Sequence, residues 1–252
     1  WSEVEIIMTE QITEEQKEQQ LKDSQDRING VLFQEKINSG TSWTRNEKFD
    51  ENGYYLLENL WDPKELFSEP PEKRGLYNYF GKKEDQFNHQ DIEGQVKGST
   101  SRYWYPQYRE IHSLIRIKIE KIIGRKLYNT YYYDRFYYPG QELDFHIDRP
   151  ACEISVSIHV STTLEGNDKH WNFGIKTPDT YSDKKKTEVV KVGEKHFVAM
   201  KPGCAILYKG CERPHWRDPM PGDNDEQYYH QIFFHYVLQD GIRAQYAWDR
   251  QG

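Results

Sequence analysis

Between residues 153 and 161 the chain alternates without a break: Ile154, Val156, Ile158 and Val160 take turns with Ser155, Ser157, His159 and Ser161. A period of two marks a β-strand, because successive side chains leave opposite faces of a sheet. One face of this strand is aliphatic and the other is polar. A polar inner face suits a barrel with a wet, functional mouth better than a plain core.

The same reading extends over the second half of the chain. Segments 131–138, 153–161, 170–175, 188–192, 196–200, 204–208, 212–217 and 227–239 are short and rich in aromatic or β-branched residues. Pro-Gly, Gly-Asn, Lys-Pro-Gly and Pro-Gly-Asp turn signals separate them. Short strands at this spacing predict a double-sheet jelly roll. Hydrophobic residues make up only 36% of the chain, so its core must lean on aromatics, which include 19 Tyr. Such residues favour strands.

Helices flank this region. Over 106–123, Tyr108, Ile111, Ile115, Ile119 and Ile122 recur at helical spacing, with Pro106 in the first turn and Gly124 placed to cap the end. This helix must bury one face on a sheet and reads as a support. Segment 53–60 reads as a strand, and 62–67 as a short helix with Asp62 at the N-cap and Pro63 behind it. Segment 69–101 reads as a long surface excursion of the kind that lids a site. Thr13-Glu-Glu-Gln16 has the form of a capping box for a charged helix ending near Asn29-Gly30. The expected organisation is a charged helical arm over 1–50 and a mainly β domain with flanking helices (α+β) over 51–252.

The net charge of −7 argues against a general nucleic-acid binder, which needs a Lys/Arg excess. Cys152, Cys204 and Cys211 are too few and too irregular for a disulfide framework or a cysteine zinc site, and read as small buried residues. No apolar run approaches the roughly 20 residues of a membrane span, and no signal-peptide profile opens the sequence. The expectation is a cytoplasmic protein in a reducing compartment.

Chemistry concentrates in two stretches. His146-Ile-Asp148 follows the Pro139-Gly140 turn in a strand-forming run, so an imidazole nitrogen and a carboxylate can face one cavity. Downstream, Gly210-Cys-Glu-Arg-Pro-His215-Trp-Arg217 offers a second histidine. Two histidines and one carboxylate leave three cis positions open on a metal and suit non-haem Fe(II). The plain alternative is a hydrogen-bonded pair on a barrel rim. His159, His230 and His235 lie among aromatics and read first as packed core histidines. Arg149 reads equally as a substrate contact or as an ion-pair partner of Glu153.

Further motifs carry a resemblance. Phe136-Tyr-Tyr-Pro-Gly precedes His146-Ile-Asp148, Lys201-Pro-Gly-Cys-Ala-Ile-Leu-Tyr208 precedes the distal histidine, and Phe233-Phe-His-Tyr closes the last strand. Over about residues 50–240 the chain resembles the Fe(II)/2-oxoglutarate-dependent dioxygenase superfamily, in particular its prolyl-4-hydroxylase-like branch of phage and microbial type. The resemblance implies a double-stranded β-helix with His146, Asp148 and His215 as iron ligands. It also implies chelation of 2-oxoglutarate, consumption of dioxygen and release of succinate and CO2, with ascorbate as a further cofactor candidate. The implied reaction hydroxylates a C–H bond of a peptidyl (prolyl-like) residue or an amino-acid-like small molecule.

The chain departs from the family at one point. A Lys or Arg on the last strand commonly anchors the distal carboxylate of 2-oxoglutarate, yet here residues 221–226 are acidic and the last strand holds neither. Arg217 is the replacement, since it shares a face with His215 and its fork pairs with carboxylates. His230 stands second and Arg213 third, with Tyr133 or Tyr137 as hydroxyl donors. That departure keeps open a cupin-like metalloenzyme without 2-oxoglutarate, and beside it a non-catalytic jelly-roll module such as a carbohydrate binder.

Overall fold

In chain order the first elements are α1 (Glu47–Asn52), β1 (Tyr54–Leu57) and α2 (Pro63–Leu66), then strands β2 (Leu76–Asn78), β3 (Gln86–Asn88) and β4 (Thr100–Tyr103). Helix α3 (Arg109–Ile123) follows a 3-10 turn at Pro106–Tyr108 and leads to β5 (Leu127–Tyr137), β6 (Leu143–His146) and β7 (Ile154–Thr162). The remainder is β8 (Phe173–Lys176), β9 (Thr180–Tyr181), β10 (Val189–Lys191), β11 (Lys195–Val198), β12 (Ala205–Tyr208), β13 (His215–Arg217) and β14 (Tyr229–Leu238). This computed structural model describes residues 42–71, 76–78, 86–88, 95–96, 98–166, 170–183 and 188–249. The helix expected after Thr13 lies outside the described residues, as does most of the 69–101 excursion.

Among the described residues, two antiparallel sheets make the jelly roll. The larger runs β1-β12-β7-β14-β5-β4 and the smaller β11-β8-β13-β6. The alternation in β7 sorts its side chains between two layers. Ile154, Val156, Ile158 and Val160 join Ile232, Phe234 and Tyr236 of β14 in a cluster with Ile115, Ile119 and Ile123 of α3. Each such buried side chain contributes about 1.5–3 kcal/mol relative to exposure. Helix α3 therefore backs the large sheet, as its isoleucine spacing predicts. Gly124 ends it in the left-handed region at φ 66°, where its N–H donates to the Glu120 carbonyl.

The polar face of β7 turns toward the interior between the sheets. There, Phe173 and Ile175 of β8 pack with Ile206 and Tyr208 of β12. The odd-numbered residues of β5 and β14 (Tyr131, Tyr133, Tyr137, Tyr229 and Phe233) form a second interior cluster with Trp171 and Cys152.

Residues 42–50, placed in the arm by composition, begin a packed segment. Asn46 caps α1 by accepting the Phe49 N–H, and Phe49 is fully buried. Asp62 caps α2 as its sequence predicts. No helix among the described residues is long and apolar enough to cross a membrane.

Candidate metal centre

Strands β6 and β13 pair antiparallel, with His146 and His215 as direct Cα partners. Their imidazoles lie 4.3 Å apart between ring centroids. Asp148 joins them from just past the end of β6. Its Oδ1 is 3.6 Å from Nε2 of His146 and 3.5 Å from Nε2 of His215. Although β6 ends at His146, Ile147 between His146 and Asp148 is half exposed while Asp148 turns inward. The Asp148 N–H is tied to the Gly210 carbonyl at 2.9 Å, which carries the alternation beyond the strand.

Backbone carbonyls orient both rings. Nδ1 of His146 is 2.6 Å from the Asp144 carbonyl, and Nδ1 of His215 is 2.9 Å from that of Arg213. A carbonyl can only accept, so each Nδ1 donates to it and each Nε2 is turned toward Asp148. Burial acts to raise the Asp148 carboxyl, but His215 and His146 outweigh it and hold it well below the usual carboxylate range. Burial likewise acts to lower His146, while Asp148 and the Asp144 carbonyl outweigh it and raise it. The His215 side chain is 2% exposed and that of His146 is 22%, so the open side of the centre is the His146 side.

The nearest ligand-type atoms of His146, Asp148 and His215 lie within 4.8 Å of one another, a donor set that fits a divalent transition metal. Asp148, Cys152 and His235 form a second group at the same spacing. Burial and the Asp148 charge push the Cys152 thiol far up, so it stays protonated. Within this second group the Cys152 thiol also meets the Tyr131 hydroxyl at 3.2 Å.

Deeper in the barrel, Arg217 is fully buried. Its guanidinium donates to the Trp171 carbonyl and to Oε1 of Gln231, both at 2.6 Å, and lies 4.4 Å over the Trp171 ring. No carboxylate pairs with it among the described residues, and its Nε has no partner. The Tyr229 hydroxyl, Nε2 of Gln231 and Nε2 of His159 are likewise buried without partners. Phe173 bridges this region to the metal centre: its ring stacks 5.6 Å from His215 and lies 5.5 Å from the Arg217 guanidinium. A buried cation among neutral groups is costly unless an anion meets it.

No family model matches the chain, and no curated protein does. Solved structures do. A prolyl-4-hydroxylase of Pseudomonas putida is 14% identical, with 75% of this chain and 95% of that one covered and a TM-score of 0.47. An oxidoreductase of the 2OG-Fe(II) oxygenase family from Burkholderia pseudomallei is 13% identical, covering 78% and 90% at a TM-score of 0.49. A prolyl hydroxylase of Trichoplax adhaerens, in complex with a hypoxia inducible factor peptide fragment, is 12% identical, covering 85% and 94% at 0.48. The likeness is one of fold.

The other anchor candidates part company with Arg217. His230 is not beside it. Its ring stacks on Phe136 at 4.0 Å and its Nε2 meets Oδ2 of Asp134 at 2.7 Å, on the face of β14 opposite Tyr229 and Gln231. Arg213 turns toward Gly53, away from the triad. Tyr137 does share the interior: its ring meets Trp171 edge-on at 5.0 Å and its hydroxyl accepts from Arg135 at 3.3 Å. Arg149 pairs with Asp249, not with Glu153, and lies 4.4 Å over Tyr131. Glu153 instead accepts from Ser42, Arg243 and the Leu238 N–H.

Three contacts escaped sequence reasoning. Nε2 of Gln95 is 3.0 Å from Nε2 of His146, while its Oε1 accepts from both terminal nitrogens of Arg135 at 3.2 Å. Neither residue belongs to a recognisable motif, and Arg135 was hidden in an aromatic run. Ser155 reaches Oδ2 of Asp148; here the polar face of β7 was a signal, although it named no partner.

Proposed function

We propose that the chain is a Fe(II)- and 2-oxoglutarate-dependent dioxygenase that hydroxylates an unactivated C–H bond and releases succinate and CO2. One juxtaposition carries this reading. Two imidazoles and a carboxylate cluster at His146, Asp148 and His215, and Phe173 links His215 to the buried Arg217 guanidinium, which has no acidic partner among the described residues. When bound, Fe(II) with 2-oxoglutarate and dioxygen supplies the oxidising power for hydroxylation.

The chain's own groups divide the remaining work. His146, Asp148 and His215 hold the metal through Nε2, a carboxylate oxygen and Nε2. Arg217 receives the distal carboxylate, with its Nε and the Tyr229 hydroxyl free to donate and Tyr137 lining the same space. Trp171, Phe173 and Tyr229 wall this end and exclude water. The substrate reaches the more exposed His146 side, and the stacked rings of Tyr103 and Tyr133, 4.9 Å apart, offer it an aromatic surface. A peptidyl residue or an amino-acid-like small molecule suits such an aromatic wall.

The test is succinate formation from 2-oxoglutarate with Fe(II) in air. It should proceed in the wild type, vanish in Asp148→Ala, and demand more 2-oxoglutarate in Arg217→Gln. Iron binding without succinate would discard this reading in favour of a cupin-like enzyme.

A further inference from the structure

Asp148 has a second oxygen, and its surroundings are built. Oδ1 faces the two imidazoles, whereas Oδ2 lies 3.3 Å from Oγ of Ser155 on β7. No other hydrogen bond reaches Oδ2 among the described residues. Oγ of Ser155 is in turn 2.9 Å from Nδ1 of His235, its direct Cα partner on β14, and both residues are buried. Gly210 closes the other side. A Cβ there would lie 2.4 Å from Oδ2 and 2.8 Å from Oγ of Ser155, so only glycine allows this approach.

The proton count gives the direction. A hydroxyl donates one proton and accepts through its lone pairs. If Oγ spent its proton on His235, Oδ2 of the partly buried Asp148 would be left without a protein donor, which is costly. With Nδ1–H of His235 donating to Oγ, the serine proton goes to the acceptors on its other side. These are Oδ2 of Asp148 and the Cys152 carbonyl at 3.1 Å.

We infer that Ser155, oriented by His235, is a positioning residue that keeps Oδ2 of Asp148 off the metal. A carboxylate held in this way would offer a bound metal Oδ1 alone rather than both oxygens. This inference rests on the metal-centre reading above and adds to it the device that sets the mode of carboxylate binding.

The experiment is a Co(II) titration followed by visible absorption, with affinities measured by chelator competition. Ser155→Ala should weaken Co(II) binding about 10–100-fold, the usual effect of losing an outer partner of a ligand, and should change the cobalt band intensity. Ser157→Ala is the control. It removes a buried hydroxyl from the same strand face, one that contacts the Tyr208 hydroxyl at 3.4 Å and makes no bond to Asp148; it should leave affinity and spectrum unchanged. His235→Gln, which leaves β7 intact, should move the spectrum in the same direction as Ser155→Ala and covers the case in which that variant does not fold. Unaltered binding and spectrum in Ser155→Ala, equal losses in both serine variants, or an unmoved His235→Gln spectrum would overturn the inference while leaving the centre in place. Absence of Co(II) binding by the wild type would overturn the centre, and this inference with it.

Discussion

His146 and His215 stand directly opposite each other on β6 and β13, with their rings 4.3 Å apart. The centre is therefore a product of strand register. A one-residue slip would turn one imidazole to the outer face of the small sheet, where Phe145 and Trp216 now pack.

Replacing His146 with Ala should abolish stoichiometric Co(II) or Fe(II) binding. The side chain is partly exposed and its hydrogen bonds are few, so stability should change by about 1 kcal/mol or less. Metal titration paired with urea denaturation separates the two effects. A variant that binds metal normally would remove His146 from the ligand set.

Arg217→Gln should leave metal binding intact and weaken 2-oxoglutarate. Loss of a charge-assisted contact costs about 1.5–3 kcal/mol, or roughly 10–150-fold in dissociation constant. His230→Gln, on the other face of β14, should leave cosubstrate affinity unchanged. Calorimetric titration of 2-oxoglutarate into the metal-loaded proteins measures both.

His112 gives a pH prediction. Burial pushes its pKa down to about 3, only partly offset by the His235 carbonyl that its ring contacts. A folded value below the unfolded value, near 6.5, means that only the unfolded chain takes up the proton between them. The stability is therefore fully present above about pH 6.5 and falls toward pH 3, by up to about 1.4 kcal/mol per pH unit from this residue. Urea midpoints across pH 4–7 should slope less in His112→Gln than in the wild type.

Ile119 is fully buried on α3 against the aliphatic face of β7. Ile119→Ala should cost about 2–5 kcal/mol without changing the stoichiometry of metal binding. Chemical denaturation and metal titration of the same sample check this.

The parts of the fold set by periodicity were legible. The alternation in β7 and the isoleucine spacing of α3 each report one buried face, and those two faces meet. His146 and Asp148 were legible as a pair because i and i+2 on a strand share a face; His215 was assigned as the third ligand by the resemblance, and the structure brings it beside them. Strand β14 was harder to read because it is buried along its whole length. Its hydropathy does not separate the face carrying Gln231 and His235 from the face carrying His230, and only parity does. Arg149 and Glu153 failed as a pair because both found partners far away in sequence, at Asp249 and Arg243. A residue-by-residue reading has no access to such distances.

The measurement that bears most directly on the proposal is an anaerobic titration of Fe(II) and 2-oxoglutarate into the protein, followed by visible absorption. A weak charge-transfer band that needs both components, is lost in Asp148→Ala, and requires more 2-oxoglutarate in Arg217→Gln is the expected result. Iron binding with no band at saturating 2-oxoglutarate would contradict it.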